Sequence, residues 1–185
     1  PEMPLVAGIV DEFEAAGLKV FGPSKKASQL EGSKAFAKKL MKKYKVPTAG
    51  YEVFTDLKSA KEHIFMSKFP VVIKADGLAA GKGVTVAASL VEATKALEAA
   101  MQDNAFGESG KTVVIEECLV GEEASILAFV DGKNFSIMAS SQDHKAIYDE
   151  DKGPNTGGMG TYSPAPIVTN ILMDEVTNKV IKPMV

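Results

Sequence analysis

The sequence predicts an α/β (α+β) protein, built from a small α/β subdomain and part of a larger flanking domain. Three observations carry this. Between residues 46 and 117, short apolar runs rich in Val and Ile alternate with two stretches of helical periodicity. Two of those runs, VVIKA and VTVAA, are joined by a glycine-rich loop and not by a helix, so their strands should return antiparallel. The chain also opens and closes inside helical patterns, so it reads as a fragment.

The elements follow in order. PLVAGIVDEFEAAG (residues 4–17) has helical spacing, with Pro4 suited to the first turn and Gly17 to its end. LKVFG, 18–22, reads as a short strand. Residues 24–44 predict two helices parted at Gly32 and Ser33, and 46–54 is extended. Asp56 can cap a helix running through Lys68. FPVVIKA is a strand, the glycine loop follows, and VTVAA is the return. Ser89 can cap the helix LVEATKALEAAMQ. Then come three strand-like runs: TVVIEECL, EEASILAFVD and KNFSIMASS. Asp131-Gly132 between the last two is a two-residue hairpin signal. Residues 150–166 predict a long irregular loop, and ILMDEVTNKVIKPMV predicts a closing helix. The domain reading is 1–23 as the end of an N-terminal α/β domain and 24–45 as a helical linker. The small subdomain is then 46–117, and 118–185 is an incomplete larger one.

Composition excludes several functions. The chain has 185 residues, 45% hydrophobic, with formal net charge −3. That slight acidity argues against a nucleic-acid partner. No run of 18 apolar residues predicts a membrane span. The single Cys118 cannot form an internal disulfide, so a reducing, cytoplasmic setting is expected. Every cation is a lysine. The run Lys38, Lys39, Lys42, Lys43 and Lys45 lies on an amphipathic helical pattern and reads as a solvated face.

The loop in VVIKADGLAAGKGVTVA, 71–87, carries Gly77, Gly81 and Gly83 between Lys74 and Lys82. Glycines let a ligand approach the backbone closely, and the lysines supply positive charge. A Walker A loop has wider glycine spacing and a following helix, and a dinucleotide fingerprint also needs that helix. The stretch therefore reads as a strand–loop–strand flap over phosphates, or as a plain hairpin loop with incidental lysines. VVIEECLVGEEAS, 113–125, ends a strand at Glu116 and Glu117 and turns at Gly121 toward Glu122 and Glu123. A strand edge and a carboxylate suit an adenine and a ribose; an acidic solvated hinge suits the same residues.

Together, K-A-D-G-L-A-A-G-K-G-V, E-E-x-L-x-G-E-E-A-S, Q-D-H-K and G-P-N-T-G-G-M-G-x-Y-S-P-A-P resemble the glycinamide ribonucleotide synthetases, also called phosphoribosylamine–glycine ligases. PxxPLVAGIVDEF and QLEGSKAFAKK resemble the same family, so the likeness covers the whole chain. It implies the ATP-grasp fold and an ATP-dependent ligase of purine biosynthesis joining glycine to 5-phosphoribosylamine. It implies that Lys34 and Lys74 touch ATP phosphates, with Lys74 also near the adenine, and that Gly77, Gly81, Lys82 and Gly83 close over the phosphates. Glu116 and the backbone of Glu117 and Leu119 would hold adenine, and Glu123, rather than Glu122, the ribose. The acceptor side would comprise Asp143, Lys145, Asn155, Thr156, Gly157, Gly158 and Met159. This chain has Ala146 where the family often carries a cation. His144 beside Lys145 reads as structural or solvated, and no catalytic residue is assigned. The implied Mg²⁺ (or Mn²⁺) would take a Glu and an Asn beyond Val185, so no metal ligand is named. The alternatives are another ATP-grasp carboxylate–amine ligase and a non-catalytic ATP-binding domain.

Overall fold

The computed structural model describes residues 2–79, 82–144, 146–149, 152–156 and 158–185. The chain falls into two compact units, Pro1–Lys42 with Thr48–Leu119, and Lys43–Pro47 with Val120–Val185.

The first unit opens with α1 (Glu2–Ala7) and α2 (Ile9–Ala15). They are separate because Gly8 takes a left-handed φ of 105°, which a side chain rarely adopts. The short α3 (Gln29–Gly32) and the long α4 (Lys34–Tyr44) follow, parted at Ser33 as expected. Residues 18–22 are not a strand. None of the described strands pairs with them, and an unpaired strand leaves its backbone groups without hydrogen bonds.

The small subdomain has the expected element order: β1 (Tyr51–Phe54), α5 (Leu57–Met66), β2 (Val71–Ala75), β3 (Val84–Ala87), α6 (Leu90–Met101) and β4 (Val113–Glu117). The predicted caps are in place: Asp56 accepts from Ser59 N at 2.8 Å and Ser89 from Glu92 N at 3.3 Å. The helix capped by Asp56 stops at Met66, short of Lys68. The strands form one antiparallel sheet in the order β1-β4-β2-β3. One face carries Val71, Ile73, Ala87, Val113 and Ile115, which pack with Ala60 and Ile64 of α5 and Ala93, Leu97 and Ala100 of α6. Side chains alternate along a strand, so Val72, Lys74, Val114 and Glu116 stand on the opposite face.

Among the described residues of the second unit the strands pair in twos: β5 (Ala128–Val130) with β6 (Phe135–Ile137), β7 (Gln142–Asp143) with β10 (Thr161–Tyr162), and β8 (Ala146–Tyr148) with β9 (Lys152–Asn155). The runs 122–131 and 133–141 therefore supply three-residue strands instead of long ones, and 150–166 contains two strands where a loop was expected. The β5–β6 turn also differs. Its two central residues are Gly132 and Lys133, with Gly132 at φ 94°, because Asp131 N bonds back to Asn134 O at 3.1 Å. Asp131 serves as the corner: its carboxylate accepts from the Asn134 side chain and from the N–H groups of Asn134 and Lys133, which lowers its pKa to about 2. The closing helix is α7 (Asn170–Val176) and α8 (Lys182–Met184), with a π-helical stretch, Thr177–Ile181, between them. No helix of the described residues is long and apolar enough to cross a membrane.

Candidate functional site

The face of the small sheet turned away from α5 and α6 places charge where two strands meet. Register sets Val72 beside Glu116 and Lys74 beside Val114, so Lys74 and Glu116 are diagonal neighbours on one face. Their side chains meet at 2.9 Å, Lys74 Nζ to Glu116 Oε2. The same oxygen receives Lys38 Nζ from α4 at 3.0 Å. Lys38 also donates to Thr48 Oγ1 at 2.7 Å and stands over the Tyr51 ring, 5.8 Å from its centre. Glu116 is only 5% exposed. Its other oxygen, Oε1, is buried without a hydrogen-bond partner among the described residues.

Lys38 thus departs from the solvated lysine face expected of its helix. Its side chain is 12% exposed. The periodicity of α4 put it with its lysine neighbours, but one turn separates it from Lys34, and side chains one turn apart share a face. That spacing was the available signal.

Lys34 opens α4 and turns toward the root of the flap. Its N–H donates to Asp76 O at 3.1 Å, and its Nζ donates to Gly77 O at 3.0 Å and Asp76 O at 3.4 Å. Burial pushes the Lys34 pKa down, against the pull of Asp76 and Glu31. Asp76 is a second residue the sequence reading left out. Its carboxylate accepts from Ser33 Oγ at 2.9 Å and from Ala35 N at 2.6 Å, and so caps α4 from the far end of β2. Lys34, Glu31, Leu78, Ala79, Gly83 and Val84 share one cleft of about 450 Å³ with Glu2 and Met3.

The flap is tied down at both ends. Asp76 N donates to Thr112 O, Gly77 N to Ser109 O, and Ser109 Oγ to Leu78 O; across the mouth, Ala75 N donates to Gly83 O at 2.8 Å. Its described glycines are needed for contact with the protein itself. A Cβ on Gly77 would lie 2.5 Å from Ser109 Oγ, and one on Gly83 would lie 2.7 Å from the Ala79 Cβ. Lys82 is exposed. Gly81 lies outside the described residues.

At the hinge, Glu117 N donates to Gly50 O at 3.0 Å and the Glu117 carboxylate accepts from Gly50 N at 2.7 Å. Its N–H is therefore taken. Leu119 is exposed, and Glu123 belongs to the second unit.

The second unit brings together some of the residues expected on the acceptor side. Asp143 Oδ1 accepts from Thr161 Oγ1 at 3.3 Å, and Gly158 lies so close that an added Cβ would be 3.0 Å from the same oxygen. Gly158 N donates to Thr156 Oγ1, and Met159 N to His144 O. His144 lies against the Tyr162 ring, 5.5 Å between centres. Asn155 sits on β9; Lys145 and Gly157 lie outside the described residues. Among the described residues, no three of His, Cys, Asp or Glu form a set able to hold a metal ion.

Two family matches together cover the chain. The ATP-grasp (A) domain of phosphoribosylglycinamide synthetase matches residues 32–185, and its N domain matches residues 1–31. The chain belongs to the phosphoribosylglycinamide synthetase family. Curated phosphoribosylamine–glycine ligases of Neisseria meningitidis and Haemophilus influenzae are each 55% identical over all 185 residues. The chain spans 44% and 43% of their lengths. A solved phosphoribosylamine–glycine ligase from Thermotoga maritima aligns with TM-score 0.76 and 40% identity, covering 94% of this chain and 45% of that one. The fold is ATP-grasp, and it extends beyond the synthetase family. A Campylobacter jejuni biotin carboxylase, solved as a complex with β,γ-ATP, also reaches TM-score 0.76 at 20% identity, over 94% of this chain and 38% of that one.

Proposed function

We propose that the chain is the nucleotide-binding part of an enzyme that joins glycine to 5-phosphoribosylamine with ATP, giving glycinamide ribonucleotide, ADP and phosphate. The observation that carries this is the 55% identity to phosphoribosylamine–glycine ligases over the full chain. The cationic arrangement of Lys34, Lys74 and the flap supports it.

The chemistry explains the parts. The glycine carboxylate is a poor electrophile. Transfer of the ATP γ-phosphoryl group to a carboxylate oxygen gives glycyl phosphate and ADP. The amine of phosphoribosylamine then attacks the carbonyl, loses a proton and expels phosphate. Phosphoryl transfer asks the protein for positioning and charge neutralisation. In this reading Lys34 and Lys74 neutralise phosphate oxygens. The flap of Gly77, Gly81, Lys82 and Gly83 covers them and excludes the water that would hydrolyse the acyl phosphate. Glu116, Glu117 and Leu119 hold the base, and Glu123 the ribose. Asp143, Lys145, Asn155, Thr156, Gly157, Gly158 and Met159 face the acceptor. The compartment is the cytoplasm.

Lys74→Met tests the nucleotide site. A charge-assisted hydrogen bond to phosphate is worth about 1.5–3 kcal/mol, so ATP binding should weaken roughly 10- to 150-fold. Calorimetric titration of both proteins measures it, with ligand-free melts as the control. Unchanged affinity in a folded variant removes Lys74 from the site. Glycine-dependent phosphate release with phosphoribosylamine, by the protein that carries this sequence, tests the reaction; release that ignores glycine would overturn it.

A further inference from the structure

The Lys38–Glu116–Lys74 cluster holds more positive charge than the fold requires. Glu116 alone could be neutralised by one lysine. Instead both lysines converge on one of its oxygens, at 2.9 and 3.0 Å, while the other oxygen has no partner among the described residues. The two cations are not equivalent. Lys38 is fixed on three sides, by Glu116 Oε2, Thr48 Oγ1 and the face of Tyr51, and its side chain is 12% exposed. The Lys74 side chain is 27% exposed. Glu116 Oε2 is its one hydrogen-bond acceptor among the described residues. It stands on β2, one residue before the strand ends at Ala75 and two before Asp76, where the flap begins.

A lone lysine on Glu116 would be trapped. Drawing it away would leave a buried carboxylate unpaired, and an uncompensated buried charge is strongly unfavourable. A second lysine already in place removes that obstacle. We propose that Lys38 is a positioning residue, a resident counter-ion for Glu116 that releases Lys74 to a nucleotide phosphate. This rests on the reading that the chain binds ATP through Lys74. Lys38 itself touches no nucleotide atom. It acts by setting how much Lys74 loses when it leaves Glu116.

The arrangement yields a pattern that an ordinary structural ion pair would not. Lys38→Met should weaken ATP binding by about tenfold, or about 1.4 kcal/mol. Lys38→Arg keeps the charge and should stay within about twofold of wild type. The double variant Lys38→Met/Glu116→Gln should regain affinity, because a neutral amide needs no counter-ion and still offers an acceptor oxygen. In a Lys74→Met background, Lys38→Met should add nothing further.

Calorimetric ATP titration of these proteins, with ligand-free thermal melts, decides it. Wild-type affinity in Lys38→Met alongside weakened binding in Lys74→Met would overturn the counter-ion role and leave the ATP reading intact. Equal weakening in Lys38→Met and in Lys38→Met/Glu116→Gln would overturn it as well. Should Lys38→Met fail to fold, the arginine variant and the double variant carry the test, and weak binding by either, when folded, overturns the proposal. Absence of ATP binding by the wild type overturns the function reading and this inference with it.

Discussion

Lys34 ties its charge to two backbone carbonyls at the flap root, and burial lowers its pKa from the ordinary 10.5. A lysine lowered by folding contributes stability above the unfolded value, and that contribution is lost as pH falls through the folded value. At neutral pH the charged side chain is therefore a cost to the fold. The stability of wild type relative to Lys34→Met should rise as pH climbs from neutral toward 10.5. ATP binding should move the other way, weakening as Lys34 loses its proton below the usual lysine range. Melts and titrations over the same pH series measure both. A difference between the two proteins that is flat with pH would contradict the shift. Lys34 and Lys74 were singled out by the motifs that carry the family resemblance, and the structure places them at the start of α4 and near the end of β2. Lys38 was not, because an amphipathic pattern shows which face is polar and not which lysine finds a buried carboxylate from a distant strand.

The flap shows what glycine does at the scale of an element. The sequence explains Gly77 and Gly83 by close approach of a ligand to the backbone. Neither has a left-handed φ. Gly77 packs on Ser109, where an added Cβ would meet Oγ at 2.5 Å, Cβ at 2.9 Å and the backbone Cα at 3.2 Å. Gly77→Ala should therefore destabilise the protein by about 1–3 kcal/mol, as overpacking does. Ser109→Ala in the same chain should not restore it, since the Ser109 Cβ and Cα remain. Urea melts of the single and double variants give the values, and full recovery in the double variant would disprove this cause. Strands and capped helices of the small subdomain were legible from periodicity and cap residues, because each buries one face locally. The close approach of residues 77 and 109 was not, because it depends on how α6 and the following turn return to the sheet.

Across the whole molecule the two units differ in how much they bury. The first holds the joint core of α5, α6 and the four-stranded sheet. In the second, the buried residues among those described are Val46, Ser140 and Ala165. Two-stranded ribbons alone are marginally stable in water, so opening should be unequal. Hydrogen exchange should be slowest at Val114 and Ile115 of β4 and Val72 and Ile73 of β2. The amides of the β5–β6 and β8–β9 ribbons should exchange orders of magnitude faster. Uniform protection across both units would contradict this. The same difference explains why the second unit was hard to read. A strand buried on one side announces itself by alternation, whereas a short ribbon with little apolar backing leaves a weak pattern in the sequence.

The strand order β1-β4-β2-β3 also has a consequence in time. Tyr51 pairs with Glu116, and Val71 pairs with Glu117. The strand that joins β1 to the rest of the sheet is thus the last of the four to leave the ribosome. Until it emerges, β1 has no partner in this sheet and β2 has only its neighbour β3. Pairings between distant residues form slowly, and open strand edges invite association with other chains. A nascent chain paused before Val113 is therefore at its most vulnerable, and the arrival of five residues, Val113–Glu117, closes both edges at once.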